Sequence, residues 1–356
     1  MSNPTTPPTD KLDWQNIGFQ YRDINGYAKY TWTPENGWDE GSLETNPYLN
    51  VHMCSTGLNY GQECFEGLKA FRTKDGRIRV FRPHENGKRM NLTAAFGSMP
   101  GIPEEIFLEA IKKTVQANLE YVPPYGSGGS LYLRPLLFGS GPMIGLSPAP
   151  EFTFIVFGVP VGNYYKDGVK PVDACIIEDF DRSAPLGTGS FKLGGNYAPV
   201  FLPTEKAKKQ GFPITLHLDS KTHTYVDEFS TSNFVALSNK DGVTTLVTPN
   251  GRTILRSVTR ISLVEIARDL GWTVEERDVP FSEIEEGKFD EIAACGTAAV
   301  ITPVKRISRG EKSYNIGSGE QTEIGAGFEA LYKQYKAIQN GDIADTKGWM
   351  WPAEGF

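Results

Sequence analysis

An α+β fold divided between two domains is what this sequence predicts, and three observations carry the prediction. The chain has 356 residues, more than one ordinary hydrophobic core accommodates. It is rich in turn formers, with 38 Gly and 24 Pro, a composition of many short strands rather than of a helical bundle. Apolar runs of strand length alternate with a few segments of helical period on both sides of a Gly/Pro-rich break.

The elements follow in order. Arg77–Arg82 reads as a strand after the turn Lys74–Asp75–Gly76. Pro103–Val122 reads as an amphipathic helix, with Ile106, Phe107, Ala110, Ile111, Val115, Leu119 and Val122 on one face. Strands are predicted at Ser130–Phe138, Phe152–Val159 and Val172–Ile177. The segment Asp179–Gly189 (DFDRSAPLGTG) has no apolar period and is expected to link two domains, residues 1–178 and 190–356, with residues 1–13 as a flexible tail. Beyond it a helix from Ala198 to Gln210 is closed by Gly211, and a second from Ser257 to Leu270 by Gly271. Strands are predicted at Ile214–Leu218, Thr224–Phe229, Phe234–Leu237, Thr245–Val247, Glu291–Cys295 and Ala298–Val304, and a last helix from Glu323 to Gln339. Two strand-rich halves around a linker point to a ligand cleft between domains.

Composition excludes several functions. A net charge of −7 with only short lysine runs argues against a nucleic-acid partner. Cys54, Cys64, Cys175 and Cys295 form no CxxC pair, and His52, His84, His217 and His223 no ligand pattern, so no metal is expected. No stretch is apolar and long enough to span a membrane, and residues 1–13 lack the character of a signal peptide or presequence. With no disulfide framework, a reducing, cytoplasmic setting is the simple expectation.

One motif carries chemistry. In Gly189–Ser190–Phe191–Lys192–Leu193–Gly194–Gly195–Asn196–Tyr197, a lysine precedes two glycines that let backbone approach a bulky ligand. It is neither a phosphate-binding Gly-Lys-Ser/Thr loop nor a dinucleotide fingerprint. Alone, it fits an ordinary surface lysine as well as a functional one.

The sequence KLGGNYAP from Lys192 resembles the cofactor-lysine motif of branched-chain aminotransferases, within fold type IV of the pyridoxal 5′-phosphate (PLP) enzymes. Further blocks resemble that family in its own order: Asn59–Phe71, Arg79–Met90, Ser130–Gly141, Glu228–Asn233 and Ala294–Val304. The resemblance spans roughly residues 45 to 340. It implies PLP between two domains, Lys192 as its covalent anchor and proton shuttle, and Glu228 beside the pyridine nitrogen, where a carboxylate favours the protonated ring. It implies phosphate binding by Arg82, by the helix start at Ser257, Val258 and Thr259, and by Thr297. Tyr197 would bond the cofactor phenolic oxygen, and Thr231 lies in the cofactor block. Tyr60, Phe65, Tyr132 and Tyr164 would wall an apolar pocket for leucine, isoleucine or valine. Arg134, on one strand face with Tyr132, would take the second carboxylate of glutamate or 2-oxoglutarate, and Thr297 and Ala298 the α-carboxylate.

The implied substrates are an amino acid and a 2-oxo acid, and the implied assembly is a homodimer. Two departures stand out. Ala299, Val300 and Ile301 stand where mammalian members carry a CxxC, and Ile254–Leu255–Arg256–Ser257 replaces a common Leu-Pro-Gly. The alternatives left open are a D-amino-acid or (R)-amine transaminase of the same fold, a lyase, and a PLP- or amino-acid-binding protein without catalysis.

Overall fold

The computed structural model describes residues 6–163 and 168–356, and the chain separates into two compact units. One comprises Met1–Tyr164, Phe191–Gly194 and Ala337–Phe356, the other Tyr165–Ser190 and Gly195–Lys336. The division differs from the expected 1–178 and 190–356. The strand Val172–Ile176 pairs in parallel with Ile214–Leu218 and with Val300–Arg309, so it belongs to the second sheet. The C-terminal strand Met350–Trp351 returns to pair with Ile78–Phe81 of the first. The segment 179–189, expected to be a linker, lies wholly within the second unit, and its Arg182 side chain is buried.

The first unit is built on a nine-stranded sheet. Its backbone is the antiparallel pair Ser130–Gly139 and Phe152–Val161, matched from Ser130↔Val161 to Gly139↔Phe152. Strand period puts Leu131 and Leu133 into the core and leaves Tyr132 and Arg134 together on the other face, as the alternation predicts. The helix Glu104–Ala117 buries Phe107, Ala110, Ile111 and Val115 against this sheet; it is shorter than the predicted Pro103–Val122 because a 3-10 turn, Leu119–Tyr121, follows it. A helix at Pro83–Phe96 was not legible in the sequence, because it buries Asn86 and Arg89 as well as Met90 and Ala94. Those polar residues clamp Glu66, which is fully buried: Arg89 donates to both carboxylate oxygens at 2.7 and 2.6 Å, and Asn86 donates at 2.7 Å.

The second unit holds another nine-stranded sheet with mixed pairing. Leu216, Val226, Phe229, Phe234, Phe281 and Ile292 fill its core. The helix Val258–Asp269 packs Leu263, Ile266 and Ala267 inward. The predicted helix from Ala198 divides into a 3-10 turn, Ala198–Val200, and the α-helix Phe201–Lys209. Gly211 and Gly271 both take left-handed φ just beyond their helices, as their predicted stop roles require. Two curled sheets with flanking helices give the fold-type-IV architecture that the sequence motifs imply.

Candidate active site

In the first unit, the Lys192 segment is fixed by main-chain and side-chain contacts. The Lys192 N–H donates to the Thr93 hydroxyl at 3.0 Å, and the Phe65 N–H donates to the Lys192 carbonyl at 3.2 Å. Leu193 bridges Cys64 in antiparallel fashion, so the segment extends the strand Glu63–Phe65. Phe191 stacks on Phe96 with ring centroids 3.8 Å apart. Thr93 and Phe96 both come from the helix Pro83–Phe96, which links the clamp on Glu66 to the position of Lys192.

Around Phe65 the structure gathers four of the expected residues. The Lys192 ammonium lies 4.7 Å from the Phe65 ring centroid and the Arg134 guanidinium 4.6 Å, within the range of cation–π attraction. Arg134 also donates to the Tyr132 hydroxyl at 3.0 Å. Gly67 makes room for that hydroxyl: a Cβ there would lie 2.2 Å from it. Two cations over aromatic faces suit a ligand that is anionic at one end and apolar elsewhere. Burial raises the Glu63 carboxyl above its ordinary range while Arg134 pulls it down. Glu63 was not foreseen as part of this cluster.

Arg82 caps the helix Pro83–Phe96 with φ 47°, a left-handed conformation rare for a residue with a side chain, and its guanidinium lies 4.5 Å from the Trp349 ring. Tyr60 is half exposed and donates to the Ile144 carbonyl at 2.5 Å, outside the Phe65 cluster. Tyr164 falls outside the described residues.

In the second unit, Glu228 is 2 % exposed on the strand Val226–Phe229. Its Oε1 receives Arg182 Nη1 at 2.8 Å and the Leu255 N–H at 3.1 Å; its Oε2 receives Asn233 Nδ2 at 2.6 Å. Burial raises this carboxyl, and Arg182, Leu255 and Asn233 oppose the rise. Two residues beyond Leu255, Ser257 caps the helix Val258–Asp269, its hydroxyl accepting the Arg260 N–H at 3.2 Å. Val258 and Thr259 form the buried first turn. A carboxylate with a lone pair to spare and a helix N-terminus therefore sit on one short tether. That pairing fits a ligand with a protonatable ring nitrogen and a phosphate, which is the chemistry of PLP.

Thr231 lies in the tight turn that Phe229 and Ser232 close, and is exposed. Thr297 and Ala298 form the turn between Glu291–Gly296 and Val300–Arg309. Val300 just after it has φ 67°, an outlier for a β-branched residue. Strained backbone at Arg82 and Val300, in blocks expected to bind anions, is the kind that clusters at functional sites. Tyr197 is half-buried at the start of the turn Ala198–Val200.

Asp227, on the opposite face of the strand from Glu228, offers a stability test. Burial pushes its carboxyl up to about 6, against the pull of the Thr253 hydroxyl at 2.9 Å. A raised folded value means that its contribution is present below the unfolded value of about 3.9 and lost as pH rises through about 6. Asp227→Asn should therefore unfold at higher denaturant than the parent at pH 8, by about 1–3 kcal/mol, with little difference at pH 4. An equal difference at both pH values would exclude ionisation as the cause.

Among the described residues no group of histidines, cysteines and acids is arranged to hold a metal, and no helix is long and apolar enough to cross a membrane. All four cysteines are free.

An electron-sink carboxylate, an anion-binding helix start and a lysine beside an aromatic–arginine cluster define a transaminase-type PLP enzyme. The chain belongs to the class IV aminotransferases, a PLP-dependent family whose signature matches residues 63–307. It is 46% identical over 345 residues to the branched-chain-amino-acid aminotransferase of Haemophilus influenzae, covering 95% of this chain and 98% of that one. It is 44% identical over 332 residues to the aminotransferase atnJ of Emericella nidulans, covering 92% and 94%. Among solved structures, the Escherichia coli branched-chain amino acid aminotransferase is similar with a TM-score of 0.73 at 25% identity, over 91% of this chain and 98% of that one.

The residue that sequence reasoning missed most clearly is Arg182. It stood in DFDRSAPLGTG, a segment without periodicity. Its one signal was a lone cation among Asp, Gly and Pro ahead of the lysine motif.

Proposed function

We propose that this aminotransferase moves the amino group of L-leucine, L-isoleucine or L-valine to 2-oxoglutarate, giving branched-chain 2-oxo acids and L-glutamate. The observation that carries the reading is the cluster at Phe65: aromatic surface for an aliphatic side chain, with the Arg134 guanidinium beside it for a second carboxylate. The printed name of the H. influenzae relative supports it.

In this reading PLP, when bound, supplies the electron sink at the substrate Cα. Lys192 anchors the cofactor, then as a free amine moves the proton between the substrate Cα and the cofactor C4′. Glu228 keeps the ring nitrogen protonated. Arg82 and the N–H groups at Ser257, Val258 and Thr259, with Thr297, hold the phosphate. Tyr197 orients the ring through its phenolic oxygen, and Thr231 borders it. Phe65, Tyr132, Tyr60 and Tyr164 exclude water around the aliphatic group. Arg134 takes the distal carboxylate only when glutamate or 2-oxoglutarate is bound, so one pocket serves both substrates. The N–H groups of Thr297 and Ala298 receive the α-carboxylate.

The chain acts as a homodimer in this proposal. Met53 and Leu58 on one segment, and Ile144 and Leu146 on another, are 67–92% exposed, and the two segments are tied by the Met143 N–H to the Cys54 carbonyl and by Tyr60 to Ile144. Such an apolar face favours burial against a second copy. A cytoplasmic site of action goes with the free thiols.

The test is the visible absorbance of the PLP-loaded protein before and after L-leucine. Loss of the lysine-bound cofactor band with L-leucine, and recovery with 2-oxoglutarate, is the expected result. A band that ignores L-leucine but responds to D-leucine or an (R)-amine would move the function to those substrates. A band that answers to no amine would leave only binding.

A further inference from the structure

We propose that Arg182 decides where the proton shared by Glu228 and the cofactor ring nitrogen lies, by holding Glu228 as the carboxylate partner of a protonated ring. This rests on the reading of Glu228 given above and assigns a role to a residue outside it.

The geometry is direct. Arg182 Nη1 meets Glu228 Oε1 at 2.8 Å, and the two side chains are 5 % and 3 % exposed. Few waters can solvate either charge, so each depends on the other. The pair is held in place from both sides. The Leu255 N–H shares Oε1, and Asn233 occupies Oε2. Next to Arg182 in sequence, the Ser183 hydroxyl donates to the Thr253 carbonyl at 3.2 Å, anchoring the segment that carries the arginine. The charge of Arg182 is felt nearby: together with burial it holds His217 down to about 4, so that the imidazole beside it stays neutral.

A buried carboxylate facing a pyridine nitrogen shares one proton with it. In a poorly solvated site the neutral arrangement, carboxylic acid against unprotonated ring, competes well with the ionic one. A cation bonded to the carboxylate favours the ionic arrangement. Because Arg182 touches the carboxylate itself, it stabilises that charge more than it repels a positive ring beyond it. Arg182 is thus a positioning residue for the proton, not a group that touches substrate.

The experiment uses holoenzyme loaded with PLP labelled with nitrogen-15 in the ring, whose NMR shift reports ring protonation without reference to turnover. Wild type should show a protonated ring nitrogen. Arg182→Gln, which keeps a donor but loses the charge, should show a largely unprotonated one, with kcat lower by about ten- to a hundredfold. Arg182→Lys should restore the protonated signal. A protonated ring in a PLP-loaded Arg182→Gln protein overturns the proposal. An unprotonated ring in wild type instead overturns the reading of Glu228.

If Arg182→Gln does not fold, the Arg182→Gln, Glu228→Gln double variant removes both buried charges and supplies the test. Its kcat should lie within about twofold of Glu228→Gln alone. A further tenfold loss would show that Arg182 acts elsewhere and sink the inference.

Discussion

Lys192→Ala should abolish the visible cofactor band and lower turnover by at least about 10⁴-fold, because one side chain supplies both the covalent anchor and the proton transfer. The fold should survive. The contacts that seat this segment are the Lys192 N–H to Thr93, the Lys192 carbonyl from Phe65, the Leu193 bridge to Cys64 and the Phe191–Phe96 stack. None uses the lysine ammonium. What is lost from the framework is one cation–π contact at 4.7 Å from the Phe65 ring, worth about 0.5–2 kcal/mol. Circular dichroism and thermal unfolding should therefore stay close to wild type while the single-turnover reaction with L-leucine disappears. Turnover within a factor of ten of wild type would remove Lys192 from the mechanism.

The parts legible in the sequence are those with a local signature. Helix period exposed the face of Glu104–Ala117, strand alternation put Tyr132 and Arg134 side by side, and the two glycine stops fell where the helices end. The motif blocks led to Lys192 and Glu228 because their residues are close in sequence. What stayed hidden depends on contacts between distant segments. The helix Pro83–Phe96 hides its face because Asn86 and Arg89 are buried on a carboxylate some twenty residues upstream. Arg182 looked like part of a tether because nothing local reveals that Glu228, 46 residues later, needs it. The unit boundary was misplaced for the same reason: parallel pairing of Val172–Ile176 leaves no trace in its own composition.

Glu228→Gln should bind PLP yet lose about 10²–10³-fold in kcat, the scale expected when one preorganised electrostatic group is removed. Binding should persist because the phosphate end depends on other residues, chiefly the helix start at Ser257. The amide also fits the space. Gln can still accept from Arg182 and the Leu255 N–H through one oxygen. Its new N–H₂ would face the donor Asn233 Nδ2, but Asn233 Oδ1 is buried without a hydrogen-bond partner. Turning the Asn233 amide over would bring an acceptor to the new donor. The substitution thus replaces the charge while the hydrogen bonds can be kept, and the loss of rate can be read as electrostatic. It leaves Arg182 buried without its counter-charge, so a drop in stability of about 3–5 kcal/mol should accompany it, measurable by denaturant unfolding of the cofactor-free protein. An unchanged kcat, with the stability lowered as expected, would mean that Glu228 serves only the ion pair and that the ring proton is held by another group.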